Sequence, residues 1–304
     1  MMSSDKNTPI LVVPATSKVA ASVVKELQKR NVKVRVLLRS AERAKALFGE
    51  EVEIFDGFDY DNSETATAAL SGVEKLFLGS TLVPHWVEQT KSLIDAVKKE
   101  NVKHIVRLSV FSASDTTKGF GASIPGKKHR EVEQYIESNG FIYTFLRPTW
   151  FYQNIESLNG REIRQKSILS SPLGSDSKLS YIDVRDLAKV AALALTESGH
   201  KNKIYELTGS ELVSMREITD ILSRITGRTI RLVDLKYEES AKWMVEELGF
   251  EEKYAEGVAY MCNQGRLGNT AVLTEDLEKV TGYKGITFEQ YVEDNLQSFM
   301  PTTA

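Results

Sequence analysis

The sequence predicts an α/β fold built on a doubly wound parallel sheet, for three reasons. Short runs rich in valine, isoleucine and leucine alternate regularly with stretches whose apolar residues recur at helical spacing. The strand-like runs are almost continuously apolar, as expected when a parallel sheet is covered on both faces. The connections between strands and helices are short, which favours an open doubly wound sheet over a closed barrel.

The first half of the chain supplies six predicted strands. They cover residues 9–13, 33–38, 52–55, 75–78, 104–109 and 143–146. Helical spacing is clearest in residues 19–29 and 85–100, which lie between predicted strands. From these elements we predict a Rossmann-type domain over residues 1–155.

The regular alternation of predicted strands and helices changes after Asn154. Further strands are predicted at residues 181–184, 203–207 and 230–235, and helices at 186–196, 214–226, 238–265 and 274–299. Ser214 is followed three residues later by Glu217, which is the spacing of a capping box at a helix start. We therefore expect residues 156–304 to form a smaller, α-rich substrate lobe, with segments near 180–208 returning to the main sheet.

Composition excludes several classes of function. The 304 residues carry a formal net charge of -3 and no long run of lysine or arginine, so we expect no nucleic-acid partner. The one cysteine, Cys262, allows no internal disulfide, and the four histidines show no metal-ligand spacing. No apolar stretch approaches the roughly 20 residues of a membrane span, and no secretory signal is recognisable. We expect a cytoplasmic protein that acts on a small molecule, with no metal and no membrane partner.

The stretch ILVVPATSKVA, residues 10–20, has the layout of the strand, tight turn and helix that bind a dinucleotide. Such a turn normally has three glycines, for the bend, for approach of the pyrophosphate and for close packing of helix and strand. Pro14, Ser17 and Ala20 stand at those positions. Proline has a fixed φ and no N–H, and serine adds a side chain where phosphate oxygens approach. We therefore expect either no cofactor, or NADP(H) bound weakly or in a shifted pose.

If the cofactor is retained, the turn and the helix start are expected to hold it. The residues concerned are Pro14, Thr16, Ser17, Lys18 and Val19. Arg39 ends the second predicted strand, where an arginine can pair with the 2′-phosphate of NADP(H) and an acid would indicate NAD(H). An ordinary solvated arginine is the competing interpretation.

Several ordered motifs indicate a family. HREVEQYIESNGFIYTFLRPTWFYQN, residues 129–154, matches an H-x-x-x-E helix followed by G-x-x-Y-T-x-L-R-P-x-x-F-x-x-N. Residues 180–197 match a D-x-A helix, and residues 203–228 match a Y-x-L-T-G strand with its following helix. Over about residues 9–299 the chain resembles the NmrA-like atypical short-chain dehydrogenases/reductases, from which its glycine-free turn departs.

The resemblance implies a Rossmann domain for NADP(H) or NAD(H) and a substrate cleft under the C-terminal lobe. It also implies either an NADPH-dependent reductase or a nucleotide-sensing regulator without catalytic activity. The Tyr-x-x-x-Lys signature of the short-chain reductases is absent, since no tyrosine has a lysine four positions later. NmrA-like proteins generally lack this signature as well, so its absence does not separate an enzyme from a regulator.

The resemblance places His129 near the nicotinamide, where an imidazole can exchange a proton near neutral pH. Glu133 lies four residues on, on the same helical face, and is a candidate to orient the ring. Lys128 is the alternative acid. An exposed histidine at a helix start is the competing interpretation.

Two serines are candidates to hold a substrate carbonyl. Ser109 ends the strand of residues 104–109 at the carboxyl edge, where open α/β sheets bind ligands, and Ser112 is the alternative. A serine that only caps the strand is the competing interpretation.

Two further segments complete the predicted site. By resemblance, the end of the fourth strand contacts the nicotinamide side through Gly79, Ser80 and Thr81, and His85 follows as a second acid/base candidate or a helix cap. By resemblance, Tyr152 and Asn154 belong to a segment that faces the cofactor or the substrate, and Trp150 and Phe151 beside them would give the substrate pocket an apolar wall for a flat aromatic or terpenoid ligand. Simple core packing is the alternative for Phe151.

Three functions are open at this point. The missing glycines favour an enzyme that acts on a small, largely apolar molecule by non-redox acid/base chemistry, as an isomerase, cyclase or lyase. Arg39 and the otherwise faithful motifs favour an NADP(H)-dependent reductase of quinones, enals or imines. The regulatory branch of the family favours a non-catalytic NAD(P) sensor.

Overall fold

The structure, a computed structural model, describes residues 8–79 and 85–301. Its strands are β1 (Ile10–Val13), β2 (Val34–Leu37), β3 (Glu53–Phe55), β4 (Lys75–Leu78), β5 (His104–Leu108), β6 (Ile142–Pro148), β7 (Trp150–Phe151), β8 (Ile168–Ser171), β9 (Leu179–Ile182), β10 (Lys203–Leu207), β11 (Leu212–Val213) and β12 (Arg231–Asp234).

The α-helices are α1 (Lys18–Lys29), α2 (Ala41–Phe48), α3 (Thr67–Leu70), α4 (Trp86–Lys99), α5 (Ile124–Ser138), α6 (Tyr152–Asn154), α7 (Gly160–Lys166), α8 (Val184–Thr196), α9 (Met215–Thr226), α10 (Tyr237–Leu248), α11 (Glu252–Arg266), α12 (Asp276–Thr281) and α13 (Phe288–Asp294). A π-helix, Ile155–Asn159, joins α6 to α7. Single 3₁₀ turns occur at Ser63–Ala66 and Leu296–Ser298.

A seven-stranded sheet forms the centre of the fold, in the order β10-β6-β5-β4-β1-β2-β3. β1 pairs in parallel with β2 and β4, and β5 pairs in parallel with β4 and β6. Six of the strands therefore follow the 3-2-1-4-5-6 order of the doubly wound dinucleotide-binding sheet. The predicted α/β, Rossmann-type fold is confirmed.

Helices cover the sheet through the apolar faces that the sequence pattern indicated. Val23, Val24 and Leu27 of α1 are fully buried, and α1 packs against α8. On α4 the buried residues Leu93, Ile94 and Val97 join a core cluster with the strand residues beneath them. Burial of these faces stabilises the helices far more than their intrinsic propensity does.

The chain divides into two compact units, each made of several chain segments. The first unit falls within residues 1–109, 128–147 and 184–205. The second unit falls within residues 110–127, 148–183 and 206–304, and its core is a cluster of aromatic and aliphatic side chains.

The segment near 180–208 is split between two sheets. β10 is an edge strand of the seven-stranded sheet, whereas β9 pairs with β7 and β11 in a separate three-stranded sheet. β6 ends at Pro148, and the chain begins the short strand β7 two residues later.

The predicted capping box is present at the start of α9. The Ser214 hydroxyl accepts a hydrogen bond from the Glu217 N–H at 3.2 Å, and the Glu217 carboxylate accepts one from the Ser214 N–H at 2.7 Å. Both backbone donors would otherwise lack an intrahelical partner.

Candidate functional site

Four neighbouring strands end at one edge of the seven-stranded sheet, and a predicted site residue follows each. In spatial order these are Arg39 after β2, Pro14 after β1, Gly79 after β4 and Ser109 after β5. Because the strands are parallel, all four residues lie at the carboxyl edge of the sheet. Three strand spacings separate β2 from β5, about 14 Å in all. The edge is long enough for an extended ligand.

The backbone of the turn between β1 and α1 does not adopt a conformation that requires glycine. Ser17 is the N-cap of α1 with an extended backbone, φ -71° and ψ 152°. Neither Pro14, Ser17 nor Ala20 is among the described residues with a positive φ. Ser17 Oγ accepts a hydrogen bond from the Ala20 N–H at 3.1 Å, so the hydroxyl is turned back onto the helix.

Backbone N–H groups at the start of α1, directly after this turn, are left without a hydrogen-bond partner in the described part of the chain. Within the described residues, no hydrogen bond is found from the backbone N–H of Ser17 or Val19. The first-turn N–H groups of a helix point out of its end, where the helix dipole favours an anion. This end of α1 has the chemistry of a phosphate site, with Thr16 half-buried and Lys18 exposed beside it.

Pro14 and Gly79 fit each other across the ends of β1 and β4. The Gly79 N–H donates to the Val13 carbonyl at 2.7 Å. A Cβ at position 79 would lie 3.1 Å from Pro14 Cδ, closer than such contacts normally allow. The proline at the first glycine position is therefore matched by a glycine on the neighbouring strand.

A fully buried arginine lies under the ends of β4 and β5. Arg107 Nη1 donates to the Gly79 carbonyl at 2.9 Å, and its guanidinium carbon is 5.9 Å from the centre of the Trp86 ring. The Trp86 ring is in turn 5.0 Å from the ring of His129. These contacts tie α4 and α5 to the edge of the sheet.

His129 is 7% exposed, contrary to the alternative of an exposed histidine at a helix start. Burial, reinforced by the positive charge of Arg107, lowers the pKa of His129 to about 3. The imidazole is therefore neutral at physiological pH. Its Nδ1 makes no hydrogen bond within the described residues, and the same is true of the buried Ser109 Oγ. Two buried polar atoms at this edge, Nδ1 of His129 and Oγ of Ser109, can therefore form a hydrogen bond with a ligand.

The Glu133 carboxylate is engaged by arginines rather than by the His129 ring. Arg147 binds it through two hydrogen bonds, Nε to Oε1 at 2.9 Å and Nη2 to Oε2 at 2.7 Å. Arg130 Nη1 adds a third contact at 3.1 Å. Glu133 and Arg147 are both buried, so the pair ties α5 to β6. Lys128, the alternative acid, is exposed on α5.

The other predicted residues of the first unit are at its surface. Arg39 is exposed and makes no hydrogen bond to the described part of the chain. His85 is exposed at the N-cap position of α4 in the left-handed conformation, φ 62°, and its side chain does not cap the helix. Ser80 and Thr81 lie outside the described residues.

Ser112 and Tyr152 belong to the second unit. Ser112 has a left-handed backbone, φ 52°, and its N–H donates to Glu206 at 2.9 Å. Tyr152 is fully buried, with its ring stacked on Tyr181 and Tyr291. Burial, with Glu211 nearby, raises the pKa of the Tyr152 hydroxyl. The structure gives Tyr152 a place in the core rather than on a pocket wall.

A mostly apolar cavity of about 60 Å³ lies within the second unit. Trp150 and Asn154 line it, together with Trp243 and Phe250, which sequence reasoning missed. The π-helix contributes Ile155 and further residues to its wall, and such helices occur often at functional sites. The volume admits a substituent or a few water molecules rather than a whole flat aromatic molecule.

Phe151 has a different place from the cavity residues. It is half-buried and pairs with Ile182 between β7 and β9. Trp150 also packs edge-on against Phe120, with ring centres 4.8 Å apart.

The opposite, amino edge of the sheet also has a cavity, of about 250 Å³, lined by Ile10, Lys75 and Glu197 among others. Arg30 also lines this cavity, and its buried Nε makes no hydrogen bond within the described residues, whereas Lys75 Nζ donates to the Leu195 carbonyl. Among the described residues, no cluster of three or more histidine, cysteine, aspartate or glutamate side chains could hold a metal ion. In that same part of the chain, no helix has the length and apolar character needed to cross a bilayer.

The family is decided by comparison with known proteins. A sequence model of the NmrA-like family matches residues 6–291. An NAD(P)H azoreductase of Xenophilus azovorans is 33% identical over 291 residues, which cover 95% of this chain and 99% of the relative. The chain belongs to the NmrA-like family.

Solved structures agree with this assignment. Triphenylmethane reductase of Citrobacter sp., solved with NADP(H), is 26% identical with a TM-score of 0.78, covering 93% of this chain and 99% of the other. The NADPH-dependent quinone oxidoreductase of Escherichia coli, solved with NADPH, shares the fold at 24% identity and a TM-score of 0.82. The match covers 95% of this chain and 99% of the oxidoreductase. The transcriptional regulator NmrA, solved with NADP, shares the fold at 18% identity and a TM-score of 0.75. The match covers 96% of this chain and 97% of NmrA.

These findings correct one prediction. The expectation of no cofactor, or of NADP(H) bound weakly or in a shifted pose, is wrong: NmrA-like structures are solved with NADPH, NADP(H) or NADP bound, and the azoreductase uses NAD(P)H. The physical reason lies in the turn, where Ser17 caps α1 with an ordinary backbone conformation and turns its hydroxyl away. The non-redox isomerase, cyclase or lyase function also finds no support among these relatives.

Buried neutral histidines predict a loss of stability in mild acid. Burial lowers the pKa of His129 to about 3 and, with Lys75 nearby, that of His104 to about 4. Between about pH 7 and pH 5 the unfolded chain takes up protons that the folded chain refuses, so the free energy of unfolding falls as pH falls. The fall is about 2 kcal/mol per histidine at pH 5. In urea denaturation, the free energy of unfolding of H129Q should fall less between pH 7 and pH 5 than that of the wild type, by that amount.

The matched control is H104Q, which removes the other buried imidazole, hydrogen-bonded to Thr144 on the same sheet. It should reduce the fall to a similar extent. An H129Q variant whose stability falls with pH as steeply as that of the wild type would show that His129 is protonated in the folded protein.

Proposed function

We propose that this protein is an NADP(H)-dependent reductase of small, largely apolar acceptors such as azo compounds and quinones. One observation carries the proposal: a helix start with unused backbone donors and two buried, unpaired polar atoms lie at the same carboxyl edge of one parallel sheet. The relationship to an NAD(P)H azoreductase at 33% identity over nearly the whole chain supports the reaction class.

The turn and α1 would hold the pyrophosphate. The N–H groups of Ser17 and Val19 and the positive end of the helix dipole favour an anion there. Ala20 is fully buried and adds only a methyl group to the contact of α1 with the sheet. Gly79 leaves room for the Pro14 ring, so the turn can lie against the end of β4 at the carboxyl edge of the sheet.

Arg39 would bind the 2′-phosphate of NADP(H). It follows β2, one strand beyond the turn, and its exposed guanidinium makes no hydrogen bond to the described residues. A guanidinium matches a phosphate in charge and geometry, whereas the ribose hydroxyl of NAD(H) offers it no negative charge.

The nicotinamide end would then lie at β4 and β5, where Gly79, Ser109 and His129 are found. When bound, NADPH supplies the hydride. Ser109 Oγ and the neutral ring of His129 can donate hydrogen bonds to the carboxamide or to the acceptor atom that gains negative charge. With a pKa of about 3, His129 holds no extra proton at neutral pH, so water supplies the proton that completes the reduction.

The predicted substrate lobe stays a proposal. The aromatic and methionine side chains that line the cavity of the second unit suit an apolar substituent. Cys262 lines the same cavity, and burial raises the pKa of its thiol to about 12, so it acts there as an uncharged apolar group.

Removing the Ser109 hydroxyl tests the chemistry of the site. S109A should lower kcat with NADPH and a quinone or azo dye about 10- to 1000-fold, because a hydrogen bond that strengthens in the transition state is lost. The measurement is loss of NADPH absorbance in a steady-state assay. The control S138A removes an exposed hydroxyl at the end of α5 and should leave kcat unchanged.

Two outcomes would count against the reductase. Equal kcat for S109A and wild type would remove Ser109 from the site. Tight NADP(H) binding without turnover of any quinone, azo or imine acceptor would support the nucleotide-sensing function instead.

Reversing the charge at Arg39 tests cofactor choice. R39E should raise the KM for NADPH about 10- to 100-fold, since a charge-assisted hydrogen bond is replaced by repulsion, and should change the KM for NADH little. The control is K45E, an equal charge reversal at an exposed position of α2. Equal effects on NADPH and NADH would place the 2′-phosphate elsewhere.

A further inference from the structure

The cavity at the amino edge of the seven-stranded sheet lies at the opposite edge from the candidate cofactor site. Its volume is about 250 Å³, well above the roughly 150 Å³ of a cavity that binds benzene. All the residues that line it belong to the first unit. The start of β1, the start of β4 and the C-terminal ends of α1 and α8 form its walls. A small organic molecule fits this space.

Lys75, the first residue of β4, gives this cavity a cation without a carboxylate partner. Its Nζ donates to the Leu195 carbonyl at 2.6 Å, and no carboxylate of the described residues lies within 4 Å of it. The carboxylate of Glu74, the preceding residue, pairs with Lys103 instead. An ammonium group has three N–H donors, so two remain for a ligand.

Arg30, the C-cap residue of α1, adds a second cation that is incompletely paired. Its Nη1 has only a long contact, 3.4 Å, to Glu197 Oε1, and its buried Nε makes no hydrogen bond in the described part of the chain. The Glu197 side chain is 56% exposed, so water screens its charge. Asn31 lines the cavity beside Arg30, and its side-chain amide makes no hydrogen bond to residues that the structure describes.

The neighbouring His104, at the start of β5, is also affected by positive charge at this end of the sheet. Burial lowers the pKa of His104 to about 4, and Lys75, Lys201 and His200 reinforce the effect. Burial lowers the pKa of Lys75 as well, against the effect of Glu74 and together with that of Lys201. An anion near Lys75 would favour its charged form.

The ends of α1 and α8 oppose an anion only weakly. The C-terminal end of a helix carries partial negative charge, but the Lys75 ammonium already binds a carbonyl of the last turn of α8. Hydrogen bonds from an ammonium or a guanidinium to an oxyanion are stronger than the effect of a solvated helix end. The two cations therefore decide which charge the cavity favours.

We propose that this cavity binds a small organic anion, whose carboxylate or phosphate group is held by Lys75 and Arg30. An oxyanion offers several acceptors at once, which suits the unused N–H groups of the two cations, and Asn31 adds a neutral donor. The site is separate from the row of cofactor residues, which lies at the carboxyl edge. The inference therefore does not rest on the proposed reductase activity.

The test titrates the full-length protein with citrate, and separately with inorganic phosphate, by calorimetry at constant ionic strength. The wild type should bind one anion per chain. R30Q and K75M should each weaken binding about 10- to 100-fold, because a charge-assisted hydrogen bond is lost, whereas K75R should keep most of the affinity. Tighter binding of citrate would identify a carboxylate ligand, and tighter binding of phosphate a phosphate ester.

The matched control is R43Q, which removes an exposed arginine of α2 and should bind both anions as the wild type does. NADP⁺ should not compete with either anion. R30Q guards against misfolding of K75M, since Arg30 is only half-buried. Absence of binding to the wild type, unchanged affinity in folded R30Q or K75M, or competition by NADP⁺ would overturn the inference. Failure of the reductase assay alone would overturn only the proposed function.

Discussion

The parallel pairing of β2, β1, β4 and β5 is the constraint on which the candidate site depends. Parallel strands end at the same edge, so residues far apart in the chain, from Arg39 to Ser109, come to lie in one row. No side chain needs to reach across the sheet. The row exists because each strand is apolar enough to be covered on both faces by helices.

Within that row, the turn after β1 keeps an ordinary backbone conformation although the three glycines of the familiar motif are absent. Glycines are needed where φ is positive or where a Cβ would block a ligand. Ser17 does not meet the first condition, because its backbone is extended, and its hydroxyl is turned onto α1 as the N-cap. Pro14 is accommodated by a change on another strand, where Gly79 provides the space. The three positions therefore have to be judged together with their neighbours in space.

The fold could be predicted from the sequence because the spacing of apolar residues, which distinguishes strands from helices, is a local property of the chain. The strands β4 and β10 begin and end at the predicted residues, and the capping box at Ser214 follows from two side chains three positions apart. The two-residue strands β7 and β11 are too short to show a period, and the π-helix has no sequence signal of its own. Their existence depends on contacts made elsewhere in the chain.

The site was harder to predict, because burial and pairing decide what each side chain can do. Sequence spacing put Glu133 on the same face as His129, but Arg147, fourteen positions on, binds its carboxylate. Arg107 was missed although a signal was present: an arginine inside an otherwise apolar strand must find partners when it is buried. The cofactor prediction failed for a related reason, since it judged Pro14 and Ser17 by residue type and not by conformation.

The most direct measurement of the central claim is a crystal structure of the protein grown with NADPH. The account predicts density for the pyrophosphate at the N-terminus of α1, with the nicotinamide beside Ser109 and His129 at the ends of β4 and β5. An empty edge at saturating NADPH, or a dinucleotide bound away from the β1–α1 turn, would contradict it.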